Sequence, residues 1–170
     1  MSKHLTRDLD GLQRTVLAMA GLVEDAIYQA TKSLRERDAR IANLVVVGDA
    51  AVDAQENQIQ EECLKILALH QPVAVDLRRI AAVFSITTDL ERMGDLAVDI
   101  AERSIALSDT TDPAAIRFPI PDKLDRLTDL AAGLVRQALD SFVNLEPPTA
   151  VDTTGLPSAM ASRSTMPRPS

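Results

Sequence analysis

Tryptophan is absent from this sequence, and one tyrosine and three phenylalanines are its only aromatic residues. A core without large rings has to be built from Leu, Ile, Val and Ala, the composition of helix bundles. A single cysteine, Cys63, excludes an internal disulfide. No apolar stretch approaches the ~18 residues of a membrane-spanning helix. The opening residues, MSKHLTRDLD, are charged throughout and lack the apolar region of a secretory signal. These absences point to a cytoplasmic protein that would reach a membrane only through a partner. Basic excess is missing as well: 25 acids stand against 18 bases, a net charge of −7, with no cationic stripe interleaved with aromatics. Nucleic acid is not an expected partner, because that affinity starts from clustered Lys and Arg.

What is present is a helical pattern. With 46% apolar residues in 170, a sizeable core is available. Leu5, Leu9, Leu12, Val16, Met19, Val23, Ala26, Ala30 and Leu34 recur in alternating steps of three and four, a long seam that predicts a helix over 5–37. Gly11 and Gly21 weaken it by up to about 1 kcal/mol each against Ala, so close packing is expected there. Asp38 is the expected N-cap of a second helix running to His70, with Ile41, Val45, Val52, Ile59, Cys63, Ile66 and His70 on one stripe. NLVVVGD, read alone, resembles a strand, but the stripe continues on both sides of it. Pro72 is expected at the first position of a third helix. Its stripe holds Val73, Leu77, Ile80, Phe84, Thr87, Glu91, Gly94, Val98, Ala101 and Ile105, and Asp112–Pro113 ends it.

Phe118, Pro119, Ile120 and Pro121 then read as an extended linker before a fourth helix over 122–145. That helix carries AGLVRQAL where the first carries AGLVEDAI, an offset of 112 residues. The order is three helices, a linker, then the first helix again. Beyond Glu146, prolines, serines and threonines dominate and no helical stripe remains, so 147–170 is expected to be disordered. The expected architecture is all-α: a three-helix up-down bundle over 1–112, a linker and first helix of a second unit over 113–146, and the tail.

Acids sit where the bundle should be apolar. Glu91, Asp95 and Asp99 are spaced four apart in TTDLERMGDLAVDIAERS, beside Gly94. Like charges at that spacing cost a helix roughly 0.2–0.5 kcal/mol per pair. Asp49, Asp53 and Glu56 make a second acidic face in GDAAVDAQE. If the two helices turn back on each other at Gln71–Pro72, the ~1.5 Å rise per residue sets Asp53 opposite Glu91 and Asp49 opposite Asp95. Packed helices stand about 8–10 Å apart, so such pairs repel unless arginines intervene, protons are taken up or a cation binds. An all-oxygen set suits Mg²⁺, Ca²⁺ or Mn²⁺, and bridging carboxylates also hold iron. An isolated E-x-x-x-D, however, is more often a solvated helix face, and Asp99 has a favourable partner in Arg103.

Other candidates are weaker. His4 lies at the terminus, and His70 is expected to cap carbonyls at a turn. Neither belongs to the Glu-x-x-His motif of di-iron carboxylate enzymes. Cys63 reads as a small core residue, and Tyr28 as a rim residue with no evident partner. No nucleophile constellation and no Gly-rich phosphate loop occur.

Residues 67–104, LALHQPVAVDLRRIAAVFSITTDLERMGDLAVDIAERS, resemble the PhoU family of phosphate-specific transport regulators, as do LVEDAI, LRERD and GDAAVDAQE. The resemblance runs over about residues 5–145, and E-R-x-G-D after Q-P-V-A-x-D-L-R is its most specific part. It implies tandem three-helix bundles with acidic motifs that hold iron or another divalent metal such as Mn, Mg or Zn. Carried over by position, these motifs fall on Asp49, Asp53, Glu91 and Asp95. Asp99 stands where Asn is more typical, which puts its ligand role in doubt. The resemblance further implies a cytoplasmic homodimer, without catalysis. It would repress phosphate uptake and the phosphate-starvation response by contacting the phosphate transporter ATPase and a membrane sensor kinase. The repeat offset would put the second unit's first acids at 161 and 165, where Ala161 and Thr165 stand, so a truncation or frameshift beyond Glu146 is a hypothesis. The alternatives are a metal-free helical adaptor or inactive fragment and, further off, a carboxylate di-iron enzyme.

Overall fold

The computed structural model describes residues 3–109 and 119–144, which form an all-α fold. Three long antiparallel helices make the bundle: α1 (Lys3–Glu36), α2 (Ala39–His70) and α3 (Ala74–Ser108); α4 (Lys123–Asn144) lies against it. The expected tail over 147–170, the first part of the expected linker and the Asp112–Pro113 stop lie outside the described residues.

The α1 seam is buried as its spacing predicts: Leu5, Leu9, Leu12, Val16, Met19, Val23 and Ala30 all face inward. At about 1.5–3 kcal/mol for each large apolar side chain buried, this face outweighs the helical cost of its glycines. Gly11 and Gly21 do not mark close packing, contrary to expectation; a Cβ on either would meet nothing within 4 Å.

Arg37, with φ of 52°, takes the left-handed turn between α1 and α2. Asp38 then caps α2, its carboxylate accepting from the Arg40 N–H at 2.8 Å. NLVVVGD is helical throughout. At the other end Gln71 adopts a left-handed φ of 44°, and its N–H donates to the Leu67 carbonyl. Pro72 therefore sits in the turn, not at the first helical position, and α3 begins after Val73, which caps without a side-chain bond.

In α3 the buried line is Ile80, Val83, Thr87, Leu90, Gly94, Ala97, Ala101 and Ser104. The expected stripe drifted by one residue: Leu90, not Glu91, fills the seam, and Glu91 stands at its edge. Val73 and Leu77, expected to be buried, are exposed.

The core has two parts. Large side chains fill the half near the 71–72 turn, with Leu9, Leu12, Val16, Ile59, Cys63, Ile66 and Ile80 among them. Small ones, Ala30, Ala42, Ala97 and Ala101 beside Val45, fill the other. Small interfacial residues permit a shorter distance between helix axes.

Helix α4 runs antiparallel to α1. Asp129 accepts from the Tyr28 hydroxyl at 3.1 Å, the Thr31 and Thr128 hydroxyls bond at 3.0 Å, and Arg35 and Arg136 pair with Asp125 and Glu24. Glu24 and Arg136 are separated by the repeat offset of 112 residues, so the fifth positions of the two repeated octapeptides meet across this interface. Tyr28 thus has a polar partner, one that is distant in sequence.

Candidate acidic site and the groove beside it

At Gly94 the backbone of α3 packs directly against side chains of α2. A Cβ built there would lie 3.3 Å from Val52 Cγ1 and 3.6 Å from Asp49 Oδ1. The missing side chain lets the carboxylate of Asp49 lie along the backbone of α3.

The level pairing follows the hairpin arithmetic. Burial raises the Asp49 carboxyl above its usual range, and the charges of Asp53 and Asp95 add to the effect. Glu91 is raised first by desolvation, then by the charges of Asp95 and Glu56, a hydrogen bond with Asp95 and the charge of Asp53. Asp49, Asp53, Glu91 and Asp95 therefore share one electrostatic neighbourhood. Glu56 joins it as well; its i, i+7 spacing from Asp49 was the available signal. Asp99 does not join it: Arg103 Nη1 is 3.6 Å from its carboxylate and donates to its backbone carbonyl at 2.7 Å.

None of the ion pairs among the described residues reaches Asp49, Asp53, Glu91 or Asp95. Burial, and after it the mutual repulsion of these acids, keeps the carboxyls of Asp49 and Glu91 raised. As a donor set the four suit a hard cation or iron. Among the described residues no three Asp, Glu, His or Cys side chains form a group that could hold one ion as placed. Coordination would require rotation of at least one carboxylate about its χ angles.

The remaining candidates take structural places. His70 Nε2 lies 3.0 Å from Asp8 Oδ2 and ties the end of α2 to the start of α1, a role different from the expected carbonyl cap. That bond, ahead of the Arg7 partner, holds the Asp8 carboxyl below its ordinary value. Cys63 is fully buried, and burial pushes its thiol up to about 11.

Beside the acids, α1 and α2 frame a cavity of about 340 Å³ lined by Leu22, Ala26, Leu44, Gly48, Asp49 and Val98, among others. Sequence reasoning missed it. The signal lay in NLVVVGDAAV, which is apolar around the whole helix instead of along one stripe.

A long antiparallel bundle with facing acids on two helices and a surface groove beside them defines the class: an all-α helical-bundle domain. The PhoU domain family model matches residues 16–104. The chain belongs to the PhoU family. A phosphate-specific transport system accessory protein PhoU homolog of Aquifex aeolicus is 42% identical over 105 residues, 62% of this chain and 48% of that protein. The homolog of Deinococcus radiodurans is 38% identical over 144 residues, 84% of this chain and 67% of that protein. The crystal structure of PhoU from Pseudomonas aeruginosa superposes with a TM-score of 0.70 at 32% identity, covering 82% of this chain and 65% of that one. The phosphate transport system regulatory protein PhoU from Streptococcus pneumoniae gives 0.73 at 26% identity, with 82% and 63% covered. This chain spans 48% to 62% of the length of the Aquifex, Pseudomonas putida and Caulobacter relatives.

Among the described residues no helix is long and apolar enough to cross a membrane.

Proposed function

We propose that this chain is a cytoplasmic, dimeric regulator of phosphate transport. In this reading it holds down phosphate uptake and the starvation response by contacting the ATPase of a phosphate transporter and a membrane sensor kinase. Family membership and the relatives' role as transport accessory proteins support it. The three-helix unit over 1–112 would be the working part, and α4 the opening helix of a second repeat. No catalytic step is proposed.

The acidic neighbourhood is the observation that carries the site. Asp49, Asp53, Glu91 and Asp95 would hold iron or another divalent ion such as Mn, Mg or Zn, and the ion would supply positive charge that no ion pair among the described residues brings to them. Gly94 provides the close approach; Glu91 and Asp95, one turn apart, present the α3 ligands.

Two measurements test these parts separately. The chain, expressed in cells lacking their own PhoU, is expected to lower a phosphate-starvation reporter in phosphate-rich medium; an unchanged reporter sinks the regulatory reading. Metal analysis of purified protein is expected to show an ion that Glu91→Ala and Asp95→Ala lose. Equal metal in parent and variants removes these residues from the site. That no three of these side chains form a group among the described residues favours one second reading, a metal-free helical adaptor. That reading expects no metal in either protein and an intact reporter response.

A further inference from the structure

Helix α2 exposes apolar side chains where helices of this composition are ordinarily covered. Leu44 is 73% exposed and Val47 75%, while Val45 and Val52 on the same turns are buried. Leu22 of α1, half-exposed, lines with Leu44 the cavity of about 340 Å³ between the two helices. Gly48 opens it further, since a Cβ there would meet nothing within 4 Å.

The groove is asymmetric in charge. Its ionisable lining residues are Asp25 and Asp49, with no base among them. The neighbouring cations are directed elsewhere: Arg40 pairs with Asp38, Arg35 with Asp125, and Lys32 lines a cavity on the α4 side.

We propose that the α1–α2 groove docks a cationic amphipathic helix of a partner protein. Geometry selects a helix. Both walls are helices whose backbone bonds are internal, so an extended strand laid between them would find no backbone partners. A helix satisfies its own backbone and seats its side chains as ridges in the groove. The walls, Leu22 to Gln29 and Leu44 to Val52, run for about 10–12 Å at ~1.5 Å per residue, the length of i, i+3 or i+4, and i+7 anchors. Charge complementarity selects a cationic partner: Lys or Arg flanking those anchors would meet Asp25 and Asp49. The groove stands on its apolar lining, so it survives failure of the metal reading.

The test uses the full chain, stripped of metal with EDTA, and a fluorescein-labelled peptide of about 14 residues with Leu at helical spacing and Lys elsewhere. A scrambled peptide of the same composition and a Leu/Glu counterpart are the controls. Anisotropy is expected to rise with the Leu/Lys peptide alone. Gly48→Leu fills the open space and is expected to keep the melting temperature while weakening binding by about tenfold or more. Leu44→Ser, at an exposed lining residue, is expected to weaken it too, and Leu64→Ser, on an exposed position away from the groove, to leave it unchanged. Equal binding of the scrambled or Leu/Glu peptide overturns the proposal, and so does unchanged affinity in folded Gly48→Leu. Sedimentation without peptide covers the remaining occupant: if Leu44→Ser converts an oligomer to monomers, a second copy of the chain fills the groove and the proposal falls.

Discussion

Gly94 of α3 and Val52 of α2 meet so closely that a methyl group on the glycine would stand 3.3 Å from Val52 Cγ1. Val52 is 3% exposed, and β-branched side chains have one strongly preferred rotamer in a helix. The valine therefore has little room to yield. Gly94→Ala gains up to about 1 kcal/mol of helix propensity but forces the helices apart, at a cost of about 1–3 kcal/mol for overpacking. We expect net destabilisation, read as a lower urea midpoint at unchanged m-value.

Gly48 and Gly21 provide the opposite case, because nothing lies near an added Cβ at either position. Gly21→Ala and Gly48→Ala are each expected to stabilise by about 0.5–1 kcal/mol. A lower midpoint in either variant would contradict the open placement of these positions.

Asp8 and the acidic pair should respond to pH with opposite sign. Asp8 is depressed by His70 and Arg7, so its contribution is present above the unfolded value of 3.8 and lost as pH falls through the lower folded value. Asp49 and Glu91 are raised, so their contribution is present below the unfolded values of 3.8 and 4.5 and lost as pH rises through the folded ones. At neutral pH in EDTA, Asp8→Asn should lower the melting temperature, and Asp49→Asn or Glu91→Gln should raise it. Melting curves at acidic pH should show all three differences shrinking. Persistence of the Glu91→Gln gain well below pH 4.5 would contradict the desolvation and charge origin of the shift.

The Cys63 thiol is buried and raised to about 11. Ellman's reagent at mildly alkaline pH should leave it unmodified in native protein and titrate one thiol in urea. Rapid reaction of the native chain would show that the packing around Cys63, between α1 and α2, is open.

Two kinds of contact hold α4, and they should differ in weight. Arg136 and Glu24 pair at an exposed surface, where such pairs contribute about 0–1 kcal/mol. Leu139 is 8% exposed and belongs to the large-residue core, where Leu→Ala costs about 2–5 kcal/mol. Hydrogen exchange of α4 amides should therefore accelerate strongly in Leu139→Ala and slightly in Arg136→Ala. The reverse order would place the hold on the charges.

How legible each feature was depended on its range. The α1 seam and the Asp38 cap were legible because a periodic stripe and a capping carboxylate are decided within a turn or two of chain. The α3 seam was legible only approximately: stepping by three or four from Val73 accumulates error, and the stripe slipped from Leu90 to Glu91. Glycine was ambiguous in kind. Gly11, Gly21 and Gly94 look alike in one dimension, yet only Gly94 has a neighbour against it. His70 with Asp8 and Tyr28 with Asp129 join positions 62 and 101 residues apart, and no local rule connects those.

Order and pattern alone determined a helical chain with acids at matched heights on its second and third helices, because periodicity and rise are properties of a single helix. Tertiary packing decided how near those acids lie and that an apolar groove stays open beside them. Distances between helices depend on which side chains interlock, and that choice is made only when all the helices are together.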